Sequence, residues 1–576
     1  MKQYGSAGFQ SGVSFSSLNG MTHTEVVGLN LRFLLPPSLD VDDVFEDDFG
    51  REIIELSVDM IATNFSGSTR SQNDGLTYST KCALPLASQW LKNCRKAHWK
   101  CNIRREQITP NRLVTTDKSC IRLRLREDFQ DPPEYATLSH CWGEKRFVTL
   151  KKQNLDNFKE RIPQEALPQT FMDAILIARE LGVQYIWIDS LCIIQDDTDD
   201  WLQEAATMSS VYGESTLNIA ASGARDGAAG CFLRPQHTLR CQIQVESGGR
   251  TLRYSCVPRG LYYHTLSDMP LMRRGWTLQE RLLPSRNLHF TSTQVFWECY
   301  QKVACEMFPD EFPHSLAYSD YYFQKQPVSI SMWSWIAQRY SSCNLTRTED
   351  KLVAISGFAR EIQSQTRDQY VAGMWRKDLE FQLCWETLVG QKCQRITPYR
   401  APTWSWASLN CRISIQIAKR FESTAENTFR WIKVLNIRLR FAGPDTLGQI
   451  SAANLRLGCR SLLHVALEKG YIFMAKKKVK AIIRIDEGNT AGILEAVALP
   501  VFGSSRNGQI SGLFIEPTKQ EKGQYRRLGS FRIYASKYCK AFEAASTERS
   551  YWVGSSDLVK IRDDKFGNTH RIINMI

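Results

Sequence analysis

Tyr135-Ala-Thr-Leu-Ser-His-Cys-Trp-Gly143, Pro168-Gln-Thr-Phe-Met-Asp-Ala-Ile-Leu-Ile-Ala-Arg-Glu-Leu-Gly182 and Tyr185-Ile-Trp-Ile-Asp189 follow one another in the chain, and their order decides the fold. Pro132 and Pro133 keep the approach to the first stretch extended. Over 135–140 the period of two then puts Tyr135, Thr137 and Ser139 on one strand face and Ala136, Leu138 and His140 on the other, and Gly143 ends the run. In the second stretch Phe171, Ile175, Ala178 and Leu181 recur at helical spacing. Thr170 suits the N-cap, Asp173 three residues on makes an acidic capping box, and Gly182 suits the C′ position. The third stretch, 185–189, is a short, continuous apolar run of the kind found in parallel strands buried on both faces. Strand, helix and strand in this order predict two neighbouring parallel strands joined by a crossover helix.

Working outward, Gln195-Asp-Asp-Thr-Asp199 is a loop, and Asp200 with Gln203 opens a second helix whose buried stripe is Trp201, Ala205, Met208 and Tyr212. Residues 216–221 make a further strand, and 287–290 with 295–299 a hairpin. The expected fold is α/β, a partly parallel sheet flanked by helices, followed by a helical and then a strand-rich C-terminal region. The expected divisions are a mobile, Ser/Gly/Asn-rich segment at 1–75, a lead-in at 82–130, the α/β core at 131–300, a mainly helical region at 301–430 and a strand-rich region at 431–576. Smaller expectations are helices at 53–62 and 86–98 and strands at 112–115, 121–125, 479–485 and 510–515.

Over 576 residues, 43% hydrophobic and 23% charged composition is that of a globular protein, and no apolar run approaches the roughly 20 residues that span a bilayer. The N-terminus lacks a secretory h-region. The 17 cysteines are odd in number and none sit at C-x-x-C spacing, so the expectation is a reduced, intracellular, cytoplasmic protein with buried thiols. The net charge of +13 includes Lys476, Lys477, Lys478 and Lys480, read as a lysine-protected strand edge rather than a nucleic-acid surface, since no nucleic-acid-binding signature accompanies it.

Several residues carry candidate chemistry. Asp189 falls at the C-terminal end of a predicted parallel strand, where open α/β sheets bind ligands; it also suits a turn cap over Ser190 or Cys192. Glu204 lies about 60° from Trp201 around its helix, at the edge of the buried stripe. Its i±3 and i±4 neighbours, Asp200, Trp201, Thr207 and Met208, include no base. A half-buried carboxylate in that position reads either as a chemical group or as the partner of Arg273 or Arg274. Ser139 and His140 point apart in a strand and form no dyad with each other. Cys94, His98 and Cys101 stand at i, i+4 and i+7, with Cys82 or Cys120 as a fourth ligand for a metal. The close cysteine pairing of structural zinc is missing, so no metal site is expected there.

Taken together, Leu138-Ser-His-Cys-Trp-Gly143, Tyr185-Ile-Trp-Ile-Asp-Ser-Leu-Cys-Ile-Ile-Gln-Asp196, Trp201-Leu-Gln-Glu204, the segment 208–212 and Arg274-Gly-Trp-Thr-Leu-Gln-Glu280 resemble the heterokaryon incompatibility (HET) family in order and spacing. Trp90, Cys94, His98, Cys101 and Pro110-Asn-Arg-Leu113 are similar to its usual lead-in. Asp350-Lys-Leu-Val-Ala-Ile-Ser-Gly-Phe-Ala359, Ala372-Gly-Met-Trp375, Arg400-Ala-Pro-Thr-Trp-Ser-Trp-Ala-Ser408 and Tyr525-Arg-Arg-Leu-Gly529 are similar to its C-terminal region. The resemblance implies self/non-self recognition and programmed cell death, an innate-immunity-like role in filamentous fungi. It marks Arg274, Gly275, Trp276, Gln279 and Glu280 as motif residues. More distantly the core looks like a TIR domain, several of which split NAD with a helical glutamate. That likeness implies Glu204 and Asp189 as catalytic residues, with Ser139, His140, Trp142 and Gly143 around the substrate and NAD as the substrate rather than a bound cofactor. The competing expectation is a scaffold acting by self-association or by binding other incompatibility proteins. A thiol hydrolase built on Cys141 or Cys192 with His140 is the weakest of the three.

Overall fold

The computed structural model describes residues 83–103, 108–233, 241–247, 250–258, 261–310, 312, 330–389, 391, 393–415, 428–443, 445–468, 470–474, 477–487, 494–504, 508–548, 552–554, 557–563 and 569–576, with strand segments at 11–15, 26–34, 45–46 and 52–62. The chain forms two compact units. One comprises 1–197, 213–272 and 284–325, the other 198–212, 273–283 and 326–576.

The first unit is built on an eight-stranded sheet. Its strands are β1 (Arg112–Thr115), β2 (Leu123–Leu125), β3 (Tyr135–Ser139), β4 (Tyr185–Trp187), β5 (Leu217–Ala220), β6 (Arg286–Phe290), β7 (Val295–Cys299) and β8 (Val303–Cys305). Their order across the sheet is β8-β7-β6-β5-β3-β4-β1-β2. The four central strands are parallel, with Ala136 opposite Ile186 and Leu217, and Asn218 opposite Thr137 and Asn287. β6 and β7 form the expected hairpin. Helix α1 (Leu84–Ala97) precedes the sheet, and α2 (Gln169–Glu180) is the crossover between β3 and β4. The predicted parallel pair and its connection are therefore present, because a continuous apolar strand flanked by an amphipathic helix has few other ways to bury both faces.

Details differ from expectation. Pro168, not Thr170, caps α2. Thr170 and Asp173 are turned into the protein instead: Asp173 accepts the Cys231 amide at 2.8 Å and Thr170 Oγ1 accepts the Gly230 amide at 3.1 Å. β4 stops at Trp187, and Asp189 opens a one-turn helix, Asp189–Cys192. Residues 52–62 form a strand, not a helix, within a six-stranded sheet that also takes in 11–15, 26–34, 45–46, 241–247 and 250–258. Ile54, Leu56, Val58 and Met60 alternate along it, and the β-branched residues favour the pleat once long-range partners are present. Four strands thus fall within 1–75, the rest of which lies outside the described residues.

The second unit contains helices at Ile330–Ser341 and Val353–Thr366, followed by a twelve-stranded sheet, as the helical-then-strand-rich expectation requires. Residues 479–485 divide between the strands Lys477–Lys480 and Ile482–Ile485, and the first of these ends the main path of the sheet, so its lysines do line an edge. Arg527 anchors the sheet from inside. Its guanidinium donates to both Asp486 oxygens and to the Leu383 and Trp385 carbonyls, and lies over the Trp385 ring at 3.4 Å. Trp404 Nε1 donates to the Met575 carbonyl and Trp406 Nε1 to that of Gly373, which ties 370–408 to the C-terminal strand. One cysteine pair, Cys393–Cys411, is disulfide-bonded, where the expectation was a reduced protein with buried thiols; the two stand 18 residues apart in sequence.

Across the first sheet, Asn218 accepts from Thr137 Oγ1 at 3.0 Å and donates to Asn287 Oδ1 at 3.0 Å, with all three side chains buried. Asn218→Ala strands the polar ends of its neighbours in an apolar sheet. We expect it to cost about 1–3 kcal/mol, measured as a lowered urea midpoint, whereas the exposed control Gln184→Ala leaves the midpoint in place.

Candidate functional site

The C-terminal edge of β3 and β4 gathers four of the candidate site residues, His140, Trp142, Gly143 and Asp189. Asp189 sits just past the end of β4 with its side chain about a quarter exposed (24%). Its Oδ2 accepts Trp142 Nε1 at 2.8 Å and its Oδ1 accepts the Ser190 amide at 2.7 Å, so the turn-capping role holds alongside the edge position. The buried His140 ring places Nε2 3.8 Å from Asp189 Oδ1. It lies parallel to Trp142 at 6.4 Å and meets Phe171 edge-on at 4.9 Å. Phe147 closes the aromatic group against Trp142 and Phe171. Gly143 is exposed, with φ +70, and a Cβ there would collide with Asp226. Only glycine lets the chain turn at this point. The result is a half-buried carboxylate beside an indole at the sheet edge, an arrangement suited to placing a ring against a fixed negative charge.

Ser139 is oriented otherwise. It is buried, and its hydroxyl donates to Asn218 Oδ1 at 3.1 Å. Glu204 lies on α3 (Thr198–Gly213) in the second unit and is 1% exposed, more deeply buried than its place at the edge of the stripe suggested. Its stripe neighbours Ala205, Met208 and Tyr212 are buried as expected.

The motif Arg274 to Glu280 also belongs to the second unit. Arg274 bridges Asn344, and Gly275 donates to the Asn344 carbonyl at 2.8 Å. A Cβ at Gly275 would stand 2.6 Å from the end of the Leu345 side chain, so a larger residue here makes that side chain shift. Trp276 stands at the N-terminus of α4 (Thr277–Leu282), and its indole lowers the Asp350 carboxyl against the larger effect of burial. Gln279 donates to the Ala354 carbonyl, while Glu280 is buried on the same helix.

The sequence reading missed a buried chain in the first unit. Ser222 Oγ lies 3.2 Å from His289 Nδ1, and His289 Nε2 lies 2.9 Å from Glu298 Oε2. Serine, histidine and carboxylate stand in the order of a nucleophile and its base. All three are fully buried, so the chain joins strands and meets no substrate. A polar residue amid apolar strand positions, His289 opposite Phe296 and Glu298 opposite Asn287, diagonal to each other in the hairpin, was the available signal.

Beside Trp276 the electrostatics are unusual. Burial, with Glu349 adding to it, pushes Asp350 up to about 6. Burial and the neighbouring Arg400 push the Lys351 amine down to about 7 from 10.5. Lys351 donates to the Leu409 carbonyl at 2.6 Å, which Arg400 also serves. Between pH 7 and 10.5 the folded amine is neutral while the unfolded one is still protonated. The unfolded state binds more protons there, and stability rises with pH through that window. Lys351→Met removes this dependence. Its stability relative to the parent should be highest near pH 7 and decline toward pH 10 in urea titrations; a gap that stays constant with pH would mean the folded amine is charged.

The model of the family described as heterokaryon incompatibility protein (HET) matches residues 135–280. No curated protein and no solved structure matches the chain. The matched span begins at β3 and ends at Glu280, and so takes in the Asp189 edge, Glu204 and the Arg274–Glu280 motif.

Proposed function

From a chain that carries a fungal HET domain at residues 135–280, we propose an incompatibility effector that answers self/non-self recognition with cell death by hydrolysing NAD. The observation that carries the chemistry is Asp189, a partly exposed carboxylate fixed beside the Trp142 indole at the C-terminal edge of parallel strands. Cleaving the nicotinamide–ribose bond passes through an oxocarbenium-like state, which a held carboxylate stabilises. In this reading Asp189 faces the ribose and Trp142 stacks on a ring, and Gly143 supplies the turn beside them. His140 backs Asp189 from within at 3.8 Å, and Glu204 is kept as the separate glutamate that the TIR likeness names. Ser139, engaged with Asn218, holds the strand beneath the substrate.

A second reading has its own support. Glu204 is buried, and both Asp189 oxygens already accept hydrogen bonds. Those features suit a scaffold that acts by self-association or by binding another incompatibility protein, with no turnover.

Expression of the full chain in a fungal cell separates the two. Under the catalytic reading the parent is toxic and depletes NAD with release of nicotinamide. Glu204→Gln and Asp189→Asn, at unchanged protein abundance, should abolish both effects. Toxic, NAD-sparing variants would remove the hydrolase and leave the scaffold. Trp276→Ala should lose toxicity under either reading, since truncating this half-buried Trp also destabilises the fold around it, so its thermal melt is read beside its abundance.

A further inference from the structure

We propose that Cys94, His98, Cys101 and Cys299 bind a zinc ion that fastens the lead-in helix to the end of the hairpin. Cys94 lies in the last turn of α1, on the buried face with Ala87, Trp90 and Leu91. The helix stops at Ala97. His98 takes an extended conformation, and the turn Trp99–Asn102 folds Cys101 back, its amide donating to the His98 carbonyl at 3.1 Å. The spacing i, i+4, i+7 is thus read by a broken helix, which gathers the three side chains around a point instead of spreading them along one face. The fourth member is neither of those considered from the sequence. Cys82 lies outside the described residues, and Cys120 is turned toward the Glu160 carbonyl. Cys299 fills the place, 201 residues after His98, as the last residue of β7.

The geometry is that of a coordination shell. One ligand atom from each residue lies within 4.8 Å of all the others, and Cys299 Sγ is 3.3 Å from His98 Nδ1. A tetrahedral ion with bonds of about 2.3 Å to sulfur needs ligand separations of about 3.8 Å, which a small contraction of the cluster supplies. Three sulfurs and one imidazole select zinc over hard cations. Four protein ligands leave no open position, so the ion is structural.

Charge supplies an independent argument. Three thiolates and a neutral imidazole around a divalent ion leave one net negative charge in a buried place. Arg286, opposite Cys299 in the hairpin register, is itself buried and points its Nε at Cys94 Sγ from 3.2 Å. Its other partners are the Cys101 and Thr216 carbonyls, Asn102 Oδ1 and Ser285 Oγ. Among the described residues none of these is a carboxylate. A buried guanidinium without a carboxylate calls for another anion, and a zinc-bound thiolate centre provides it. Trp90 packs on Trp297 at 6.3 Å beside the cluster and shields it. Metal uptake releases the thiol protons to solvent and ties together chain segments far apart in sequence, so the binding energy becomes folding energy.

The test uses the full chain, purified under reducing conditions without added metal and then dialysed. Elemental analysis should find zinc at one equivalent per chain, released by a thiol-directed mercurial. Replacement by cobalt should give the strong visible bands of a tetrahedral thiolate site. Cys120→Ser should keep both signals. Cys299→Ser should lose them, and Arg286→Gln should weaken zinc affinity by about 10- to 100-fold. If Cys299→Ser fails to fold, the parent chain still decides. A folded parent with substoichiometric zinc and no tetrahedral cobalt spectrum would overturn the proposal. So would a disulfide among Cys94, Cys101 and Cys299 in the zinc-free, folded protein.

Discussion

A ladder of buried amides and hydroxyls, Thr137 to Asn218 to Asn287, crosses three parallel strands where no solvent reaches it. Parallel strands are joined by long crossovers, so no tight turn fixes their pairing. A slip of one residue would turn every side chain to the other face and leave these polar groups unpaired in an apolar layer. The ladder therefore sets the register of β3, β5 and β6. Ser139, two residues beyond Thr137, joins Asn218 from the same face and carries the constraint to the strand end. The positions of His140, Trp142 and Gly143 follow from it.

At that edge the polar groups change their work. Behind that edge Ser222, His289 and Glu298 have buried partners and a structural duty. Past the strand ends Asp189 keeps part of its surface in solvent while Trp142 and Ser190 hold it in place. A rigid sheet beneath a partly exposed carboxylate is the physical basis for treating this edge as the site. The second unit uses comparable devices for assembly, with Gly275 admitting Leu345 and Arg527 satisfying two backbone carbonyls and a carboxylate at once.

Much of the α/β core was legible in the sequence because its signals are local. The apolar run at Tyr185, the helical period from Phe171 and the alternation from Tyr135 each state one element, and their order leaves few topologies. The strand at 52–62 was misread because its ten-odd residues suit either period until partners 26–34 and 250–258 are known. Asp173 and Thr170 carry a helix-start pattern, yet the loop at Gly230 and Cys231 claims them, an effect of tertiary contact on residues whose local chemistry fits both uses.

The sequence by itself determined the order of strands and helices in the α/β core, the HET motifs and the placing of Asp189 at the C-terminal end of a parallel strand, since period and composition act over a few neighbours. The tertiary structure alone decided which distant groups meet. It gave Ser139 to Asn218, buried Glu204 more completely than its helix predicted, and joined His289 to Glu298 across a hairpin. It also brought Cys299 to Cys94, His98 and Cys101, a grouping that no local spacing encodes. The reason is physical: the pairing of buried polar groups depends on how the sheet closes, and that closure is set by the burial of the whole chain rather than by any one segment.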